Sequence, residues 1–452
     1  MSALNAATDA TVVTVESSAT SSSLFHQRVA RREGGIVTYG MTPPKLTTEV
    51  SKLPTLADTQ RQRLISVPAD AVILYDIHDE KDRATEIPRP FPFSETLNGM
   101  SALNAATDAT VVVDVVAVES SATSSSLFHQ KVARREGGIV TYGMTPPKLT
   151  TEASKLPTLA DTQRQRLISV PADAVILYDI HDEKDRATEI PRPFPFSETL
   201  NGLDWAEQLG DVGKPYVHFR CIAKYDAPEF EAQLKDRLPV NNNAVVVVGG
   251  AAAAQQLPIT MDQAYEIRRT VAPELFVGAV AIAERHAAKG NEHERMLQKQ
   301  TVGGVSFFVT QCVYNLEEAK NLLSDYASTC KKQGIPMVPI LVTITPCGSA
   351  KTLEFLGWLG VKVSKWLEND LRDAADQGLI LEESVDALLH LFKELLHFAR
   401  KKGIPLGCNV ESVAVRKVEI EASIRLATEI KKILEQEDSG AAATVNPATP
   451  II

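Results

Sequence analysis

The side chains able to do acid–base or hydrogen-bonding chemistry fall where apolar runs stop. The segment Val305–Asn315 (VSFFVTQCVYN) is the clearest case. Its Val, Phe and Tyr content reads as a strand buried on both faces, ending in two amides, Gln311 and Asn315. Other apolar runs end in Tyr142, in Asp179, His181, Asp182 and Glu183, in His218 and Arg220, in Glu284 and His286, in Tyr314, and in Asn409 and Glu411. Carboxylates, amides and imidazoles gathered at strand ends suit proton transfer or a polar ligand pocket. Polar loops that serve no ligand are the alternative, since loops are polar anyway. Gln311 in particular has two readings, a ligand contact or a partner for neighbouring backbone.

Several other patterns resolve into ordinary roles. His181, Asp182 and Glu183 are adjacent on an extended segment and point in alternating directions, so no metal centre is expected there. His390 and His397, seven apart on an amphipathic stretch, read as surface or packing residues. Gly348-Ser-Ala-Lys-Thr352 lacks the Gly-Lys of a phosphate loop, and Ser349 reads better as a helix N-cap. Arg192–Phe196 (RPFPF) reads as a polyproline-like loop, its aromatics either covering a planar ligand or packing on a rim.

The elements that must position these groups follow from the apolar runs. Strands are expected at Gly138–Met144, Ala174–Ile180, Tyr216–Ile222, Ala244–Val248, Leu275–Ala281, Val305–Val313, Met337–Ile344 and Pro405–Val410. Helices are expected between them, among them Asp226–Leu238, Thr260–Val271, Asn315–Gln333 before Gly334, and Glu383–Lys402 before Gly403. An extra helix, Ser364–Gln377, falls between the seventh and eighth strands, and Ser412–Leu434 closes the pattern. Eight alternating strands and helices over about 310 residues fit an α/β (β/α)8 TIM barrel. An open doubly wound sheet is the runner-up, but Gly249-Gly250 followed by four alanines is not its glycine fingerprint.

The first quarter of the chain is present twice. Residues 2–99 recur at 101–202 with few changes; Gly35 matches Gly138 and Tyr39 matches Tyr142. One long near-identical pair differs from the many short copies of a repeat fold. Four regions are therefore expected. Residues 1–99 are a duplicated segment outside the barrel, partly disordered or packed on its surface, and 100–130 are a Ser/Ala/Thr-rich linker. Residues 131–436 are the barrel and 437–452 a disordered tail.

Composition narrows the partners. With 44% hydrophobic and 23% charged residues the 452-residue chain is of ordinary globular make-up. A net charge of −10 without a basic run argues against nucleic acid and anionic membrane. The longest apolar run, Ala244–Ala254, is too short to span a bilayer. Cys221, Cys312, Cys330, Cys347 and Cys408 are dispersed and odd in number, which fits free thiols in a reducing compartment. The N-terminal residues lack a secretory or transit pattern, so a cytoplasmic protein is expected. The oligomeric state stays open, an oligomer being compatible.

The stretch Gly278–Asn315, "GAVAIAERH … LQKQTVGGVSFFVTQCVYN", resembles the methylenetetrahydrofolate reductases, with their E-x-H … K … T-Q arrangement. Thr141–Pro147 (TYGMTPP), Tyr178, the segment 183–187 (EKDRA), 217–221 (VHFRC) and the strand near Gly407 extend the likeness over roughly residues 135–435. The resemblance implies an oxidoreductase of folate one-carbon metabolism that uses FAD and NAD(P)H. It implies that Gln311, with Tyr314 nearby, contacts the folate, and that His218, Gly250, Glu284 and His286 contact flavin. The chain departs from that pattern. The family's catalytic glutamate falls on Gly143, its Arg and Asp around a flavin turn fall on Gly249 and Ala251, its flavin-side tyrosine on Ile282, its folate-side aromatic on Ala350 and its final arginine on Ser412. Glycine has no proton to give, so the acid is expected to have moved, with Asp179 and His181 as candidates. A barrel that binds folate or a related planar ligand without reductase chemistry is the alternative.

Overall fold

The computed structural model describes residues 38–41, 52–66, 71–74, 126–181, 198–238, 243–250 and 257–443. The chain divides into two compact units, Met1–Asp114 and Val115–Ile452.

In the first unit, strand β1 (Thr38–Met41), helix α1 (Leu53–Ser66) and strand β2 (Ala71–Leu74) form a parallel β-α-β motif, with Thr38 paired to Ala71 and Met41 to Leu74. The other residues of this segment that are expected to be disordered or surface-packed lie outside the described residues.

In the second unit, helix α2 (Leu127–Arg134) is capped by the Ser126 hydroxyl, which accepts from the His129 N–H. Eight parallel strands follow: β3 (Val140–Met144), β4 (Ala174–Leu177), β5 (Tyr216–Cys221), β6 (Ala244–Val248), β7 (Val277–Ala281), β8 (Phe307–Cys312), β9 (Ile340–Ile344) and β10 (Leu406–Glu411). They close into a barrel, β10 pairing with both β9 and β3. This is the (β/α)8 TIM barrel expected, and each strand lies within or one residue beyond its expected span.

The helices are α3 (Leu156–Ser169), α4 (Gly202–Leu209), α5 (Ala227–Ala232, prolonged by a π turn over Gln233–Arg237), α6 (Met261–Val271), α7 (Ala283–Lys289), α8 (Glu292–Thr301) and α9 (Leu316–Gln333). Between β9 and β10 come α10 (Ala350–Trp358), α11 (Lys365–Asp376) and α12 (Ile380–Lys402); α11 is the expected insertion. Helix α13 (Lys417–Ala443) follows β10.

Two expected boundaries shift. Within the linker expected over 100–130, α2 begins at Leu127, and its Phe128 is fully buried, edge-on to Phe307 at 5.5 Å. Phe128 and Val132 join Ile139, Ile176, Val217, Val246, Val309 and Leu341 in the inner core, so one face of α2 covers an end of that core. The tail expected from 437 begins later, since α13 continues to Ala443. Residues 444–452 lie outside the described residues.

Strand alternation sets which side chains can reach a ligand. On β5, Val217 and Phe219 belong to the inner core, so His218 and Arg220 face the helices. The end of β8 departs from this alternation, its register shifting between Val309 and Cys312.

Candidate functional site

The C-terminal mouth of the barrel carries a buried hydrogen-bond network built from four strands. Asn409 on β10 is its hub, with no exposed surface. Its Oδ1 accepts from the Thr141 hydroxyl at 3.0 Å, and its Nδ2 donates to Thr343 Oγ1 at 3.2 Å and to the Tyr178 hydroxyl at 2.9 Å. Two residues along β10, Glu411 accepts from the Cys312 thiol at 3.2 Å and also hydrogen-bonds Tyr178. The Tyr178 ring stands edge-on to Phe219, centroids 4.7 Å apart.

Burial raises the pKa of the Glu411 carboxyl, although hydrogen bonds from Tyr178, Cys312 and Asn409 pull it back in part. Burial, reinforced by the nearby Glu411 carboxylate, also pushes the Cys312 thiol and the Tyr178 phenol well above their usual ranges. Cluster members therefore tend to hold protons, and the thiol is no nucleophile.

Gly143 sits in the middle of this arrangement. It pairs with Glu411 across the β10–β3 register. A Cβ added to Gly143 would lie 2.8 Å from the Tyr178 hydroxyl, 2.9 Å from its ring and 3.2 Å from Glu411 Cβ. The space a β3 side chain would take is filled by a tyrosine and by a carboxylate from the neighbouring strand.

The residues expected to act fall in several places. Gln311 is half-buried at the end of β8, and its Oε1 accepts from the Cys312 N–H at 3.0 Å. Tyr314 is buried and donates to the Thr345 carbonyl at 2.5 Å, a structural tie behind the mouth. Asp179 is locked in place: it accepts from the Cys221 N–H at 3.0 Å, the Tyr225 hydroxyl at 2.8 Å and Lys224 Nζ at 2.8 Å. Three donors on its two oxygens make Asp179 an anchor between the end of β4 and the loop after β5. His181 is half-buried, next to the segment 182–197, which lies outside the described residues along with Asp182, Glu183 and the RPFPF loop.

The four residues that the resemblance assigns to flavin lie on different elements. His218 is fully buried on the helix side of β5, where burial and the positive Arg220 and Arg237 push its pKa down to about 3. It borders a cavity of about 810 Å³ with Tyr216, Lys214 and Arg237, between the barrel wall and the outer helices. Its neighbour Arg220 is held by Asn201 (3.1 Å) and Gln233 (2.6 Å), and stacks on Tyr225. Glu284 accepts from the Lys362 N–H at 3.3 Å; burial raises its pKa. His286 is buried, its Nε2 3.1 Å from Asp325 of α9. Gly250 is half-buried, immediately before the segment 251–256, which lies outside the described residues together with Ala251. Two of these residues thus pack into the helix layer through α7, and one lies behind β5.

The suspected phosphate loop is the N-terminus of α10. Ser349 caps it, accepting from the Thr352 N–H at 3.2 Å, and the fully buried Glu419 carboxylate accepts from the Thr352 hydroxyl at 3.1 Å. The chain supplies its own anion there.

Sequence reasoning placed Glu411 in the polar ring but gave it no role. The signal that could have found it is its spacing from Gly143: the last barrel strand must pair with the first, so a carboxylate at the end of one borders the end of the other.

No protein-family model matches the chain, and no curated protein matches it. Among solved structures, an uncharacterised protein from Clostridium thermocellum that binds two copies of 5-methyl-5,6,7,8-tetrahydrofolic acid is 41% identical, with a TM-score of 0.60; the match covers 68% of this chain and 100% of that one. A 2,3-dimethylmalate lyase (11% identity, TM-score 0.32, 69% of this chain and 98% of that one) is also similar. So is an intracellular xylanase from Thermoanaerobacterium saccharolyticum (13%, 0.34, 60% and 85%). At those scores neither carries an argument. Identity of 41% over the whole of the Clostridium thermocellum protein is decisive, and the chain belongs to the same family as that protein.

Proposed function

We propose that the chain binds a reduced folate of the 5-methyltetrahydrofolate type in the mouth of the barrel, with Glu411 and Gln311 facing the pterin. The observation that carries this reading is the 41% identity to a protein that binds that ligand. The chemistry of the mouth agrees with it. One edge of a pterin presents an N–H and an NH2 side by side, which pair with the two oxygens of a carboxylate, and a lactam beside them suits a side-chain amide. Glu411 and Gln311 lie on β10 and β8, and Cys312 links the two by accepting neither: its thiol donates to Glu411 and its N–H to Gln311.

A reductase reading draws on Glu411 as well. A carboxyl whose pKa burial has raised, beside the glycine at the family's acid position, is the residue to supply a proton. Flavin and nicotinamide use rests on the resemblance alone, and no step is derived through either.

Calorimetric titration of the full chain with 5-methyltetrahydrofolate tests the binding reading. Saturable heat is expected, weakened about tenfold by Gln311→Ala, as for loss of a hydrogen bond of about 1–1.5 kcal/mol, and more strongly by Glu411→Ala. Absence of saturable heat would sink it. Titration with FAD, read by the flavin absorbance of the protein after gel filtration, tests the reductase reading separately.

A further inference from the structure

His286 on α7, His293 on α8 and Asp325 on α9 converge from three helices, with a ligand atom from each lying within 4.8 Å of the others. Nothing in the folate reading uses them. His286 Nε2 is 3.1 Å from Asp325 Oδ2, and the two imidazoles meet edge to face, centroids 5.2 Å apart at 89°. We infer that these three side chains form a binding site for a divalent cation of the zinc class.

The geometry is close to what the ion requires. Zinc binds imidazole nitrogen and carboxylate oxygen at about 2.0–2.1 Å in a tetrahedron, which sets neighbouring ligand atoms about 3.3 Å apart. The histidine–aspartate pair already stands near that spacing, and a rotamer adjustment of His293 closes the rest.

The ligand types narrow the metal to a transition ion such as zinc or iron(II), which imidazole and carboxylate together favour. Two imidazoles and one carboxylate suit zinc, whereas magnesium and calcium prefer an all-oxygen shell. A plain histidine–aspartate hydrogen bond accounts for one of the three residues' contacts but leaves ring nitrogens idle. The Nδ1 atom of His293 is buried with no hydrogen-bond partner among the described residues. Charge nearby is balanced: Arg285, next to His286, is held by both oxygens of Glu292, at 3.1 and 3.2 Å. The Asp325 side chain is 54% exposed, so the fourth position opens to solvent and takes a water. The spacing His286–His293 did not suggest a metal in the sequence, because the two rings come from separate helices.

The test uses the full chain, stripped with a chelator and then titrated with zinc chloride by calorimetry and with cobalt(II) by visible spectroscopy. One equivalent of zinc is expected, with cobalt showing the bands of a four-coordinate nitrogen–oxygen site. Asp325→Asn and His293→Gln are each expected to weaken zinc at least tenfold while leaving the melting temperature in chelator unchanged. Asp325 is exposed enough that its variant folds even if His293→Gln does not. The inference is overturned by the absence of saturable zinc binding, by binding that Asp325→Asn leaves intact, or by cobalt–thiolate bands, which would move the metal to a cysteine.

Discussion

Glu411 lies directly beside Gly143 in the β10–β3 register, and the Cβ that glycine lacks would come within 3.2 Å of the Glu411 side chain. The carboxylate at the mouth comes from the strand that closes the barrel, not from the one that opens it. Its neighbours Tyr178, Cys312 and Asn409 all hydrogen-bond to it or to one another, which makes it the acidic centre of the site.

The raised pKa of Glu411 has a definite consequence for stability. Below its ordinary pKa of about 4.5 the carboxyl is protonated whether the chain is folded or not. As pH rises, the unfolded chain releases the proton first, so stability is lost until the folded pKa has been passed. Glu411→Gln carries no charge at any pH. Its stability relative to the parent should therefore improve from acid to neutral pH in denaturant unfolding. A difference that is independent of pH would show that the carboxyl titrates normally.

Gly143→Ala should disturb the mouth. The new methyl would overlap the Tyr178 ring and hydroxyl at 2.8–2.9 Å, and the ring is held by Asn409 and packed on Phe219. Overpacking of this kind costs about 1–3 kcal/mol. Loss of folate affinity is expected alongside the lower unfolding midpoint; unchanged binding would place the ligand away from β3.

Asp179→Ala is predicted to act on folding rather than on ligand binding. It leaves Lys224, whose side chain is 9% exposed, with Glu198 at 3.2 Å and the Ile180 carbonyl at 3.4 Å, and it removes the acceptor of the Cys221 N–H and the Tyr225 hydroxyl. Removing one member of a buried pair costs about 3–5 kcal/mol. Chemical denaturation measures the loss, and folate titration at low temperature should give nearly the parent affinity.

A chain that begins at Met100 should melt at the same temperature and bind the same ligand. All eight strands of the closed barrel, and helix α2 whose Phe128 and Val132 join its inner core, come from residues after 126. A closed sheet has no free edge for the first copy to complete. A large drop in melting temperature would count against this.

The barrel was legible because its strands are short, β-branched and separated by capped helices. Val305–Val313 and Ala244–Val248 could hardly be anything else, and the helix expected from Thr260 is there, closed by a capping box of Thr260 and Gln263. The inserted helix α11 was legible too, from its position between two clear strands. The site was less so. Polar residues near strand ends are easy to find, but a one-residue difference decides whether they face the ligand or the helices. His218 and Arg220 fall on the wrong side of β5 for that reason, and Asp179 is taken up by Lys224, two loops away in sequence. Gly143 hid its meaning in the opposite way: what matters there is the side chain from another strand that its absence admits.

The duplicated β-α-β motif amounts to a replicate of one experiment inside a single chain. The same helix, LPTLADTQRQRLIS, and the same strands, TYGM and AVIL, appear as a two-stranded sheet in the first unit and as the opening of a closed barrel in the second. Both adopt one register: Thr38 to Ala71 repeats as Thr141 to Ala174, and Met41 to Leu74 as Met144 to Leu177. The instruction for pairing these strands is therefore written within the segment and is portable. Selection can act on the copy tied to Glu411 and leave its twin, with Gly40 in place of Gly143, free to drift.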